Sequence, residues 1–266
     1  MAIITISRGT YGGGKQLAVL LGERLGYRTV SRELLYERAR DVYGVTKAQL
    51  QEVTDRTPSM VDPKAKRRAT WMLTCVQASL CELLAEDDVV YHGRAGHLFF
   101  TGISHVLRVR FIAPRPVRIK MAQERERITE FEASRKIDQV DAERLRWTRF
   151  FYGVDWGDPA LYDIVLNLED LTVEDAADTL ACLARLPSFQ ATEESRRLLH
   201  NLCLTSKVKA HLGGDPELAG VDLEISADDG RVRVAGILAE KYLARITQIV
   251  EALPGVKKLE AVSPTS

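Results

Sequence analysis

Residues 3–16 read Ile3-Ile4-Thr5-Ile6-Ser7-Arg8-Gly9-Thr10-Tyr11-Gly12-Gly13-Gly14-Lys15-Gln16. The stretch opens apolar and β-branched, as a buried strand does. It then breaks into a glycine-rich turn ending on a lysine. Leucines at helical spacing follow at once (Leu17, Leu20, Leu21, Leu25), with Gly26 as a C-terminal stop. A strand, a glycine loop and a helix start make an anion cradle, because backbone N–H groups converge there and the helix dipole favours negative charge. Gly9 to Lys15 also fit the spacing G-x-x-x-x-G-K of a phosphate-binding loop. The expected phosphate ligands are therefore Gly9, Thr10, Tyr11, Gly12, Gly13, Gly14, Lys15, Gln16 and Leu17, with the Lys15 ammonium adding charge. The alternative for the same residues is a surface turn with a solvated lysine.

The rest of the chain gives that loop a setting. Its 266 residues suffice for one large and one small domain. Thirty-seven basic and 37 acidic residues leave no net charge, so nothing biases the chain toward nucleic acid or anionic membrane. No apolar run approaches a membrane span, and no basic segment with a long apolar core opens the chain; the expectation is a cytoplasmic protein. Cys75, Cys81, Cys182 and Cys203 show no metal or redox spacing and read as reduced, mostly buried thiols.

Further along, 27–30 reads as a short strand and Ser31 as the N-cap of a second helix. Residues 44–68 are polar and basic, with Thr46 and Gln49 spaced to open a short helix and Lys64, Lys66, Arg67 and Arg68 as a solvated face. A long helix is expected from about Ala69. Strands follow at 89–91 and 106–113, a charged helical region at 116–151, a strand at 162–168 and a helix at 172–186. Strands alternating with helices predict an α/β fold with a parallel sheet, whose ligands sit beyond the carboxyl ends of the strands. The pattern changes near Pro187. Residues 195–212, 221–226, 231–238, 240–253 and 256–262 alternate as helix, strand, strand, helix, strand, with Asp229-Gly230 as a hairpin turn. The expected organisation is a first domain at 1–186, a linker at 187–194 and a small α+β domain at 195–266.

Two resemblances emerge from these pieces. Ile4 to Ala18, Ser31-Arg32-Glu33-Leu34-Leu35, Gly93-Arg94-Ala95-Gly96, Val117-Arg118-Ile119 and Asp155-Trp156-Gly157-Asp158-Pro159 with Tyr162-Asp163 resemble, in order, the cytidylate-kinase-like family of P-loop nucleoside monophosphate kinases. Val208 with Leu212, Asp215-Pro216 with Leu218, Gly230 with Val232, Val234 and Gly236, and Pro254-Gly255-Val256 resemble a BON domain. Domains of that kind are associated with phospholipid surfaces and protein contacts.

The first resemblance implies ATP and Mg²⁺, with Lys15 and the loop backbone on the donor phosphates and Arg94 on the acceptor phosphate. A structural ion pair is the alternative for Arg94. Arg32 and Arg38 read as further acceptor ligands or as surface charge. His92 reads as a phosphate or nucleotide contact or as a structural histidine. Arg118 resembles the arginine that opens the family's lid. Asp138, Asp141 and Arg144 resemble its D-x-x-D-x-x-R spacing, although charge pairing along a helix face also accounts for such a pattern. Trp156 reads as packing or as a base-stacking residue. The chain departs from the family where a hydroxyl should follow the lysine, since Gln16 and Leu17 stand there, and where acids should flank Gly-Arg, since His92 and Ala95 stand there. No residue is assigned as a direct metal ligand. The expected function is ATP-dependent phosphoryl transfer to a nucleoside monophosphate, CMP or dCMP, with a C-terminal interaction domain. The alternative is a catalytically weak nucleotide sensor whose BON-like domain contacts a partner or membrane surface.

Overall fold

A computed structural model of the chain describes residues 2–12, 14–59, 62–84, 88–236 and 239–262. Gly13 of the expected phosphate loop and residues 237–238 of the expected hairpin lie outside the described residues. In chain order the elements begin β1 (Ile3–Arg8), α1 (Gly14–Leu25), β2 (Arg28–Ser31), α2 (Arg32–Tyr43), α3 (Lys47–Asp55) and α4 (Pro63–Leu84). They continue β3 (Val89–His92), α5 (Gly96–Phe99), β4 (Val106–Ile112), α6 (Arg115–Glu126), α7 (Glu130–Tyr152), β5 (Ile164–Asn167) and α8 (Val173–Ala184). Last come α9 (Glu193–Gly214), β6 (Glu224–Asp228), β7 (Arg231–Ala235), α10 (Glu240–Glu251) and β8 (Lys258–Val262). Contacts group the chain into two compact units, Met1–Leu34 with Thr54–Thr57 and Glu86–Thr192, and Leu35–Val53 with Pro58–Ala85 and Glu193–Ser266.

The first unit is built on a five-stranded parallel sheet in the order β2-β3-β1-β4-β5, as the alternating pattern predicts. Central β1 is buried, and Ile4 and Ile6 share a core with Leu17, Leu21, Leu107, Val109, Phe111 and Leu180. Burying each such side chain stabilises the fold by about 1.5–3 kcal/mol. Ile6 pairs with His92, and Ser31 pairs with the same residue from the other side. The carboxyl ends of β1, β2 and β3 therefore lie side by side. The chain leaves them at Gly9, Arg32 and Gly93.

The charged helical region expected at 116–151 consists of two helices. Arg127 adopts a left-handed conformation (φ 57°) that ends α6, and Thr129 and Glu132 form a reciprocal capping box that starts α7.

In the second unit, α4 begins at Pro63, ahead of the expected start at Ala69. Asp62 accepts the Lys64 N–H at 2.9 Å and Pro63 takes the first helical position, which suits a residue with no N–H to satisfy. The basic run 64–68 thus forms the helix's first turns. The Thr46–Gln49 cap forms as its spacing predicts, with Gln49 N–H on Thr46 at 3.3 Å and Thr46 N–H on Gln49 at 2.9 Å. Helix α4 packs on α9, where the Trp71 indole donates to the Ala210 carbonyl at 2.9 Å. The small sheet β6-β7-β8 pairs antiparallel and then parallel, over a core of Val208, Leu212, Val232, Val234, Ile246 and Val250. Cys75 and Cys81 are buried, whereas Cys182 is exposed and Cys203 partly so; only half of the cysteines fit the expected burial. Among the described residues, no helix is long and apolar enough to cross a membrane.

Candidate active site

The glycine loop runs from the end of β1 to the start of α1. Its first residue is anchored to the neighbouring strand by Gly9 N–H on the Phe111 carbonyl at 3.2 Å, and Gly12 N–H closes the turn on Gly9 at 3.1 Å. Tyr11 has a left-handed backbone (φ 61°), a conformation that disfavours a side chain. Its hydroxyl donates to Glu126, which also accepts from Lys136. Gly14 is needed for a close approach, since a Cβ there would lie 2.7 Å from Cδ of Arg8. Lys15 and Gln16 are exposed at the helix start. Leu17, expected beside them, turns its side chain into the sheet core.

Helices α6 and α7 grip this loop. Asp141 is three residues from both Asp138 and Arg144 on α7, so each successive pair is adjacent on the helix surface. Asp138 pairs with Arg115 at 2.6 Å. Asp141 accepts the Thr10 hydroxyl at 2.9 Å and pairs with Arg118. Arg118 also donates to the Thr10 carbonyl at 2.9 Å, and Arg144 donates to the Arg8 carbonyl. Burial, and then the charge of Arg94, push the Arg144 guanidinium down to about 9, with Asp141 opposing them. Its Nε is buried with no partner among the described residues.

On the other side of the loop stands the turn after β3. Gly93 and Gly96 pack against the Tyr91 ring, where a Cβ on either would clash, and the Tyr91 hydroxyl donates to the Arg94 carbonyl at 3.2 Å. Ala95 takes the left-handed conformation that the turn needs (φ 62°). The turn aims Arg94 at the end of α3: it donates to the Thr54 carbonyl at 2.6 Å and lies 3.4 Å from Asp55. Arg32 pairs with the same carboxylate at 3.2 Å. His92 is buried; burial, and then the Arg8 charge, hold its pKa below the usual imidazole value. These groups open into a cavity of about 410 Å³ lined also by Arg8, Lys15, Glu33, Arg125, Arg144 and Trp156. Among its lining residues Glu33 is the one carboxylate. A second cavity of about 710 Å³ lies along α1 and α6, lined by Val19, Leu20, Glu23, Met121, Glu124 and Glu174. Arg8, Lys15 and Arg125 line both.

Trp156 forms part of the first cavity's wall. The Arg110 and Arg144 guanidinium groups lie 4.4 and 4.6 Å from its ring centre. Its carbonyl accepts from Arg110 and, at 2.8 Å, from the Tyr162 hydroxyl. His97 meets that hydroxyl at 3.2 Å; burial, and then the charge of Arg110, push its imidazole down to about 3. The tryptophan is thus held by a buried polar network at the cavity wall.

Of the residues that the sequence singles out, the structure gathers Lys15, Arg32, His92, Arg94 and Arg144 around one cavity; Tyr11 lines the second, and Thr10 and Arg118 bond to each other and to Asp141. Arg38 is elsewhere engaged: in the second unit it pairs with Glu82, its Nε at 2.7 Å. Sequence reasoning assigns no role to Arg8 or Asp55. An arginine at a strand's carboxyl end, directly before a glycine turn, is the signal that could have found Arg8.

The cradle suits a polyphosphate: glycine backbone, a helix start and several cations converge. It offers a metal ion less. Gln16 and Leu17 stand where a hydroxyl would meet it. Among the described residues, no group of three or more His, Cys, Asp or Glu is placed to hold one.

Comparison with known proteins agrees with this arrangement. The chain is 27% identical over 169 residues to the cytidylate kinase of Methanosarcina acetivorans, covering 62% of this chain and 87% of that protein. It is 27% identical over 173 residues to the cytidylate kinase of Methanopyrus kandleri, covering 62% and 83%. The crystal structure of an uncharacterized protein from Eubacterium ventriosum shares the fold, with a TM-score of 0.54 at 22% identity over 69% of this chain and 97% of that one. The model of the cytidylate kinase-like family matches residues 3–170, well over half the length, and the chain belongs to that family.

Proposed function

We propose that this protein is an ATP-dependent nucleoside monophosphate kinase directed to a pyrimidine acceptor, CMP or dCMP. The observation that carries the proposal is the pair of cavities that share Arg8, Lys15 and Arg125. Phosphoryl transfer asks a protein for positioning and positive charge more than for covalent chemistry. In this reading the loop backbone and Lys15 hold the ATP phosphates. Arg94 and Arg32 hold the acceptor phosphate, whose oxygen attacks the γ-phosphorus as the bond to ADP breaks. Arg118 and Arg144, carried on α6 and α7, stabilise the charge and exclude water. Mg²⁺, brought with ATP, would supply charge neutralisation for the phosphates held by the loop and Lys15. The pyrimidine acceptor rests on the names of the relatives.

Residues 195–266 are proposed as an interaction module, on their resemblance to a BON domain and their helix-strand-strand-helix-strand order. Their partner is a protein or a phospholipid surface. A second reading is favoured by Gln16, Leu17 and Ala95: a nucleotide-binding sensor with weak catalysis, whose interaction module passes on the bound state.

ADP release from MgATP across CMP, dCMP, UMP, AMP and GMP, with Lys15→Ala as control, separates the readings. Lysine-dependent turnover on one acceptor supports the kinase and identifies its substrate. ATP binding that needs Lys15, without turnover on any acceptor, supports the sensor.

A further inference from the structure

Among the described residues Arg8, like Lys15 and Arg125, is a cation lining both cavities that no protein group pairs. Other arginines around it are engaged: Arg32 and Arg94 with Asp55, Arg118 with Asp141, and Arg144 with the Arg8 carbonyl. The Arg8 guanidinium has no hydrogen bond or ion pair among the described residues. It is partly buried and faces like charge. Burial, then Arg125 and Arg32, pull its pKa down, and Glu33 is the acid that opposes them. Keeping a cation among cations is unfavourable unless an anion completes the set.

Its placement is also fixed. The backbone is held in register opposite Phe111 of β4, and its carbonyl takes the Arg144 bond. The side-chain stem crosses the start of α1 over Gly14, where any Cβ would collide with it. From there it lines both cavities, together with Lys15 and Arg125. This is the junction that a phosphoryl group would cross.

We infer that Arg8 contacts the phosphoryl group in transfer, its planar fork bridging an equatorial oxygen and an acceptor-phosphate oxygen. The inference rests on the kinase reading. In the step, an acceptor oxygen forms a bond to the γ-phosphorus while the bond to the β,γ-bridging oxygen breaks and ADP leaves with the electron pair. The acceptor reacts as a dianion, so no proton need move. Negative charge shared between the two phosphates is what a guanidinium fork recognises and an ammonium cannot bridge. Arg8 supplies this charge in a loop that has no hydroxyl after Lys15.

The test uses the full chain with Arg8→Ala and Arg8→Lys. It compares kcat and KM for MgATP and CMP with the binding of ATP, of CMP, and of a bisubstrate in which cytidine and adenosine are joined by five phosphates. Loss of one donor to a transition state lowers kcat by about 100-fold or more. Arg8→Ala is expected to show that loss, to keep both KM values within about fivefold, and to bind the bisubstrate at least about 30-fold more weakly while binding ATP nearly as before. Arg8→Lys keeps the stem over Gly14 and is expected to lose at least about tenfold in kcat; it carries the test where Arg8→Ala does not fold. An active wild type whose Arg8 variants keep kcat and bisubstrate affinity within about threefold overturns this inference alone. So does equal weakening of ATP and bisubstrate, which marks a structural role. A wild type that neither transfers phosphate nor binds the bisubstrate overturns the kinase reading, and this inference with it.

Discussion

Replacing Asp55 by Asn should tighten the binding of an acceptor phosphate. Asp55 is the shared counter-ion of the two arginines proposed to hold that phosphate, 3.2 Å from Arg32 and 3.4 Å from Arg94. An incoming phosphate competes with the carboxylate for both guanidinium groups. The pairs are partly solvated, with the Asp55 side chain 40% exposed, so each is worth about 0.2–1 kcal/mol. Together they oppose binding by about 0.4–2 kcal/mol, a factor of about 2–30 in Kd. Calorimetric titration of CMP and of inorganic phosphate into wild type and Asp55→Asn measures this directly. The gain should shrink between 0.15 and 0.5 M salt, because exposed pairs are screened. Arg94 keeps its bond to the Thr54 carbonyl in the variant, so the turn should hold its shape. Unchanged or weaker phosphate binding would refute the competition and show instead that Asp55 presents the arginines to the ligand.

Two further perturbations test the fold around the site and in the second unit. His97 is buried, with its folded pKa pushed down to about 3, below the ordinary value near 6.5. The unfolded chain therefore takes up a proton that the folded chain refuses. Stability present above pH 6.5 is lost as pH falls toward 3, by about 1.4 kcal/mol per unit. Urea unfolding should show wild type losing about 2 kcal/mol more than His97→Gln between pH 6.5 and 5; equal slopes would contradict the buried, uncharged imidazole. Gly213→Ala should lower the thermal midpoint, although alanine favours a helix by about 1 kcal/mol. A Cβ there lies 2.8 Å from the Trp71 ring, and such overpacking costs about 1–3 kcal/mol. A raised midpoint would mean that the ring yields freely.

The parts of the site carried by local pattern are those that sequence reading reaches. Ile3 to Ile6 with the glycines defines β1 and its loop, and the D-x-x-D-x-x-R spacing makes Asp141 a helix neighbour of both Asp138 and Arg144. The turn at Gly93 follows a short apolar strand and is equally plain. What escapes is whatever depends on partners distant in sequence. Asp55 ends a short helix of a polar stretch, and only the fold brings it between Arg32 and Arg94. Arg8 looks like a loop residue until Gly14 is seen to clear its path. Leu17 occupies a slot expected to face phosphate, but its helical phase turns it toward Phe111 and Leu180. The basic start of α4 carries no apolar stripe, and its cap at Asp62 is what makes it helical. Trp156 gains its setting from Arg110 and Arg144, which no local pattern links to it.

The most direct test of the central claim follows the phosphoryl group itself. The 266-residue chain is incubated with γ-labelled MgATP and CMP, and the nucleotides are separated to ask where the label goes. The account expects labelled CDP from wild type and at least about a 100-fold loss with Lys15→Ala. Label released only as inorganic phosphate, or CDP formed by Lys15→Ala at the wild-type rate, would contradict it.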